Sequence, residues 1–252
     1  TFITTANNRS IILDQSGNAF TSNVTMQAGD GSAAFNNITF VDSADVRLHS
    51  SAASAGDLFI NAGTDLDVDG SLNITATTGN ITQGSELDVG TTSTFTTSAT
   101  NGTITLNDAD NTFTGAVALN TNGSSGNATI KNDRALLLAA SSVGGAFSAT
   151  ATTGNITQSG ALAITGTSTL VTSADNGTID LKENSIVNAF TGKLLITTND
   201  SSGTDGDVEI DGGITNLIVG LSTIDGDLVL LSGGTITDDG IATLTGTLTA
   251  TT

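Results

Sequence analysis

The chain has no cysteine, proline, tryptophan or tyrosine, a single histidine, and six basic residues against 25 acidic ones. Each shortage excludes something. Without Cys there is neither a disulfide nor a thiolate metal site, which suits a chain exported through membranes unfolded. Without Pro, every backbone N–H stays available to a β-ladder. Nine Phe are the whole aromatic complement, too few for an ordinary aromatic-rich globular core. Three Lys and three Arg within a net charge of −19 leave no basic surface for phosphates, so nucleic acid is excluded as a partner. No run approaches the roughly 20 apolar residues of a membrane helix, so membrane insertion is not expected. The opening Thr1-Phe2-Ile3-Thr4-Thr5 is not a charged leader followed by an apolar run. The expectation is an internal or processed piece of a longer polypeptide.

What is present is small, polar and repetitive. Thirty Gly stand among abundant Thr, Ser, Asn, Asp and Ala, and 37% of the 252 residues are hydrophobic. That apolar share is too high for a disordered chain of this charge, and Ile, Leu and Val recur at regular intervals. The strongly acidic surface reads first as colloidal, keeping a long fibre soluble and apart from its neighbours.

The repetition is explicit. Thr75-Ala76-Thr77-Thr78-Gly79-Asn80-Ile81-Thr82-Gln83 recurs unchanged at 150–158, an offset of 75, and Asn101-Gly102-Thr103-Ile104 recurs as Asn176-Gly177-Thr178-Ile179. Phe113-Thr114-Gly115 returns as Phe190-Thr191-Gly192 after a short insertion, and Gly154-Asn155-Ile156-Thr157 as Gly234-Thr235-Ile236-Thr237 at an offset of 80. Near the start, Arg9-Ser10-Ile11-Ile12-Leu13 followed by Phe20-Thr21 matches the segment from Gly102 to Thr114, with one extra coil over residues 31–55. Insertion by whole coils is what a stacked solenoid tolerates.

A finer period is marked by a turn residue shortly ahead of an inward Ile or Phe. It falls at Arg9, Gly31, Gly56, Gly79, Gly102, Gly126, Gly154, Gly177, Gly206 and Gly234, steps that average about 25 residues. Within a step the apolar period is 2, as in Ile104 and Leu106, Val117 and Leu119, or Leu228 and Leu230. Short alternating runs bounded by Asn-Gly, Asp-Gly or Gly-Gly are strands and turns. Gly and Thr at these frequencies disfavour a helical repeat. The expected fold is therefore all-β: residues 1–252 as one right-handed parallel β-helix, or β-solenoid, of about ten coils of ~25 residues with three strands each. At ~4.8 Å per coil this is a rod of roughly 50 Å. Its ends would be unpaired edges, so adjoining repeats or copies of itself are expected end to end.

Other constellations reduce to strand and turn chemistry. Asp65-Leu66-Asp67-Val68-Asp69-Gly70 resembles the start of an EF-hand loop, but Ala76 stands where the bidentate Glu belongs. Asp205-Gly206-Asp207 and Asp225-Gly226-Asp227 are turns first and weak surface calcium sites second. A polysaccharide-cleaving enzyme on this scaffold needs carboxylates together with Arg or Lys on one face. Here Lys131, Asp133 and Arg134 form one mixed-charge group and Lys182-Glu183 another, both read as surface pairs. His49 has no nucleophile motif near it and is assigned to a solvated strand edge. No catalytic, cofactor-binding or metal residue is assigned, and no enzyme is expected. Thr-x-Thr units such as Thr103-Ile104-Thr105 invite comparison with ice-binding ladders, although their spacing along the chain is uneven. Sequons at Asn23, Asn37, Asn73, Asn80, Asn127 and Asn155 are what chance produces in so Asn- and Thr-rich a chain.

The Gly-Asn-Ile-Thr-Gln units at 79–83 and 154–158, with the trailing Leu162-Ala163-Ile164-Thr165-Gly166, resemble the repeat regions of filamentous-haemagglutinin-like and other giant bacterial exoproteins. The resemblance implies type V-style secretion to the bacterial cell surface and a role as adhesin stalk or extracellular filament. A binding module whose exposed Thr, Asp and Asn ladder recognises glycan, a host surface or ice is the alternative.

Overall fold

The computed structural model describes all residues except 1, 5–8, 21–23, 29–36, 44–45, 50–56, 61–65, 69, 183–185, 200–205 and 241. For 3, 25, 27–28, 46–49, 57–60 and 66–67 it describes the main chain only. Among the described residues there is no helix, and every strand pairing is parallel. The chain winds as a β-solenoid, each strand bonding to its counterpart one turn away, which is how parallel strands joined by short corners satisfy their backbone groups.

Two long ladders of 14 strands each, here called face A and face B, carry the stack. Along face A run Ile81–Gln83, Ile104–Leu106, Ala128–Asn132, Phe147–Ala151, Ser168–Thr172 and Lys193–Thr197. Along face B run Leu72–Ala76, Ser93–Thr100, Val117–Asn122, Leu136–Leu138, Ile156–Gln158, Ile179–Leu181, Val208–Asp211, Leu228–Leu231 and Leu248–Thr251. A third ladder, Leu66–Val68, Leu87–Val89 and Thr112–Phe113, has three strands.

Burial follows the period of 2 along these strands: Leu72–Ala76 and Phe147–Ala151 alternate buried with half-buried positions. Inward residues stack by kind. Ile81, Ile104 and Ala128 lie over one another, and Leu106 is followed by Ile130, Ala149, Leu170 and Ile196. One large ring sits between small neighbours: Phe147 is flanked by Ala128 below and Ser168 above, all buried. Such alternation of volume fills the interior without voids. Phe95 and Phe113 meet edge to face, centroids 6.0 Å apart.

The winding differs from the sequence expectation in two respects. Eight steps carry face B from Leu72 to Leu248. From Leu72 to Leu248 the described residues thus make about eight turns of unequal length, and the ten even coils expected are not what they show. The Gly markers at 79, 102 and 126 precede strands of face A, whereas 154, 177 and 206 precede strands of face B and 234 precedes face A again. The intervals from Gly126 to Gly154 and from Gly206 to Gly234 each conceal a turn and a half, because the turns there are short, as where Ala128 pairs with Phe147. A corner Gly looks the same at either edge, so it does not reveal which edge it occupies. The markers Gly31 and Gly56 lie outside the described residues, as does most of the extra coil at 31–55.

Nor does each turn repeat three separate strands. Val117–Asn122 meets Leu136–Leu138 through Val117 and Leu138, then Ser141–Val143 through Asn120 and Ser142. One extra residue is accommodated between them, a bulge. The corners use the left-handed region sparingly. Asn101 (φ 64°) and Asn176 (φ 58°) adopt it in the same Asn-Gly turn of the two repeats, and Asn is the non-glycine residue that does so at least cost. Phe-Thr-Gly is explained by close approach: a Cβ on Gly115 would lie 2.4 Å from the Thr91 carbonyl oxygen, and one on Gly192 would lie 2.3 Å from that of Gly166.

Candidate functional surface and interior polar clasps

Three sets of polar side chains recur along the solenoid. The first lies at the corners, on the residue just before a strand. The Asn80 Oδ1 accepts from Thr103 N at 2.8 Å, Asn127 from Ala146 at 2.8 Å, Asn155 from Thr178 at 2.9 Å and Asn216 from Thr235 at 2.8 Å. Asp207 and Asp227 do the same for Asp227 N and Thr247 N, each at 2.7 Å. Each Asx side chain thus extends the ladder by one bond, tying its corner to the next turn. The bond from the Thr247 backbone holds the Asp227 carboxyl below its usual range, since it favours the ionised form.

The second set is buried. Asn111 and Asn188 are fully inaccessible. Asn111 Oδ1 accepts from Leu87 N at 2.9 Å and from the Gln83 amide, while its Nδ2 donates to Leu106 O at 3.4 Å, Lys131 O at 3.1 Å and Gln83 Oε1 at 3.1 Å. Asn188 repeats the arrangement with Leu162 N at 2.9 Å, Leu181 O at 3.2 Å, Asp211 O at 3.0 Å and Gln158 Oε1 at 3.0 Å. A third copy begins at Asn18, whose Nδ2 donates to Leu13 O and Val41 O, both at 3.3 Å. Each clasp supplies polar partners where the strand ladder opens at a corner, so that buried backbone groups remain satisfied. Ser141 and Ser222 close the bulges likewise: Ser141 Oγ accepts from Leu119 N at 3.0 Å and donates to Ala139 O at 2.9 Å, and Ser222 Oγ serves Ile196 N and Gly220 O, each at 3.1 Å.

The third set faces solvent. Thr82, Thr105, Thr129, Ser148 and Thr169 stand in one outward row on face A, in register over five successive turns. The uneven Thr spacing along the chain becomes even once turns of unequal length are stacked. On face B the corresponding row is charged at two rungs, Asp180 next to Glu209, between Thr157 and Val229, and Lys182 Nζ lies 3.1 Å from Glu209 Oε1.

Arg134 pairs with Asp133 at 3.0 Å, both largely exposed, and such pairs contribute little. The Asp225 carboxylate accepts from the Thr245 hydroxyl at 2.7 Å. Asp65, Asp69, Glu183 and Asp205 lie outside the described residues, Asp67 is described in its main chain only, and so is His49 on the strand Val46–His49. No three acidic or imidazole groups converge among the described residues. A recess of about 560 Å³ at the last turn is lined by the buried Val219, Leu228 and Leu230, the half-buried Ile236, the exposed Leu248 and Asp238, among others. The interior clasps are masked in the sequence because Asn is common in every corner. A signal exists all the same: Asn stands two residues before each repeated Phe-Thr, in Asn18-Ala19-Phe20, Asn111-Thr112-Phe113 and Asn188-Ala189-Phe190.

The duplication of these hydrogen-bond sets coincides with a family assignment. A model described as Repeats of unknown function (DUF5649) matches residues 55–120 and 125–197, more than half of the chain. The chain belongs to this family. Its two matched copies end at equivalent strands, Val117–Asn122 and Lys193–Thr197, in which Leu119 and Ile196 each donate to a bulge serine. No curated protein and no solved structure matches the chain.

Proposed function

We propose that this chain is a length of shaft in a secreted bacterial surface adhesin or extracellular filament, a spacer that transmits length and stiffness without catalysis. The observation that carries the reading is the continuous parallel ladder from Leu72–Ala76 to Leu248–Thr251 on face B, which local bulges shift but do not interrupt. Every turn is bonded to the next through backbone and Asx corners, so bending or stretching the stack means breaking a row of bonds at once. Membership of a family defined by repetition agrees with a modular spacer. The acidic exterior suits an extracellular rod that must not aggregate sideways. The winding is taken as right-handed, the hand of nearly all parallel crossovers. Export by a type V-style route and end-to-end contact with adjoining repeats or further copies belong to the same reading.

A binding module is the second reading, and the outward hydroxyl row from Thr82 to Thr169 favours it. Electron microscopy of the purified chain and of its longer parent separates the two. Thin fibres whose length scales with repeat number support the shaft. A monodisperse particle that binds a glycan array, and loses that binding on Thr105→Glu, overturns it in favour of the module.

A further inference from the structure

The two copies of the repeat are not stacked in the same orientation. Ile81, in the first of the two identical nonapeptides, lies on face A, and its counterpart Ile156 lies on face B. Other equivalences behave the same way. Gln83 and Asn111 clasp at the end of a face A strand, Gln158 and Asn188 at the end of a face B strand. Leu119 meets Ser141 on face B, Ile196 meets Ser222 on face A. From Ile81 the chain crosses alternately to Ser93, Ile104, Val117, Ala128, Leu136 and Phe147 before reaching Ile156, which is seven half-turns. We infer that one repeat of this family winds three and a half turns, so that successive repeats are turned by half a revolution and the rod is two-sided.

The consequence concerns interaction surfaces. An outward position of one repeat reappears in the next on the opposite side, as with Thr82 on face A and Thr157 on face B, or Thr94 on face B and Thr169 on face A. A partner that reads one repeat therefore finds its second site across the rod, where two bound partners do not collide, and only every second repeat presents the same side. The hydroxyl row on face A is a joint product of this phase: Thr82 and Thr105 come from the first matched copy, Thr129, Ser148 and Thr169 from the second.

The absence of Cys makes the phase testable by engineered pairs in the full chain. Thr129→Cys with Ser148→Cys places two thiols on adjacent rungs of face A. Thr129→Cys with Thr157→Cys would do so only if a repeat were a whole number of turns. With a two-carbon bismaleimide, mass spectrometry should find the first pair bridged by one linker and the second pair carrying two separate linkers. Thr105→Cys with Thr129→Cys, on adjacent rungs of face A whatever the phase of the repeat, is the control for folding and reach. Bridging of the control and of the 129/157 pair, or of the control alone, overturns the inference. Biotin–maleimide on Thr82→Cys and Thr157→Cys together, decorated with streptavidin, should show two particles on opposite sides of the rod in negative stain. Both on one side contradicts two-sidedness, whatever the fate of the shaft reading.

Discussion

Asparagine lives two lives in this molecule. At the corners, Asn80, Asn127 and Asn155 each offer the side-chain oxygen to one N–H of the next turn, and Asn127 and Asn155 stand exposed. In the interior, Asn111 and Asn188 use both ends of the amide, oxygen toward a backbone N–H and nitrogen toward backbone carbonyls and a Gln oxygen. The corner position asks for an acceptor, and Asp207 and Asp227 meet it as well as Asn does. The interior position asks for a donor and an acceptor in fixed places, which Asp lacks. Solvent access and the polarity of the partners, rather than residue type, decide what each one contributes.

One substitution applied in both regions breaks the comparison most sharply. Asn111→Asp or Asn188→Asp sets a carboxylate against carbonyl oxygens in a dry interior and should cost on the order of 4 kcal/mol, read by urea unfolding and by loss of amide protection around Leu87 or Leu162. Ser141→Ala or Ser222→Ala strips the acceptor from a single buried N–H, Leu119 or Ile196. About 2 kcal/mol is expected, with exchange speeding up at that amide first. At the corner, Asn155→Ala should cost about 1 kcal/mol and Asn155→Asp under about 0.5 kcal/mol, the same measurement distinguishing the two. The gentlest perturbation is acid. Because the folded Asp227 carboxyl titrates below its usual range, its contribution is complete above the ordinary carboxylate pKa and disappears as pH falls through the lowered value. The Thr247 amide should therefore lose protection only below the ordinary carboxylate range, and Asp227→Asn should remove that pH dependence while keeping the bond.

Much of this is legible in the chain. Ile, Leu and Val at every second position, turn residues between them and the unchanged nonapeptide together specify stacked parallel strands, and the inward partners Ile104 and Leu106 or Leu228 and Leu230 are buried as their spacing implies. The phase of the winding is not legible. Gly126 and Gly154 look like successive marks on one edge, yet a complete short turn from Ala128 to Phe147, with Gly144 and Gly145 at its own corner, is hidden between them. The interior clasps are hidden by abundance, since nothing local separates Asn111 from Asn101. Only its fixed place before Thr112-Phe113 does. The outward Thr row is obscured by loop length, because residues at unequal intervals along the chain align only when the register is known.

Everything rests on neighbouring turns lying about 4.8 Å apart along one axis. X-ray diffraction from an oriented concentrate of the chain measures that spacing and its direction together. The account predicts a strong reflection at about 4.8 Å parallel to the long axis of the particles. The same reflection perpendicular to that axis, or its replacement by the helical repeat of about 5.4 Å, would contradict it.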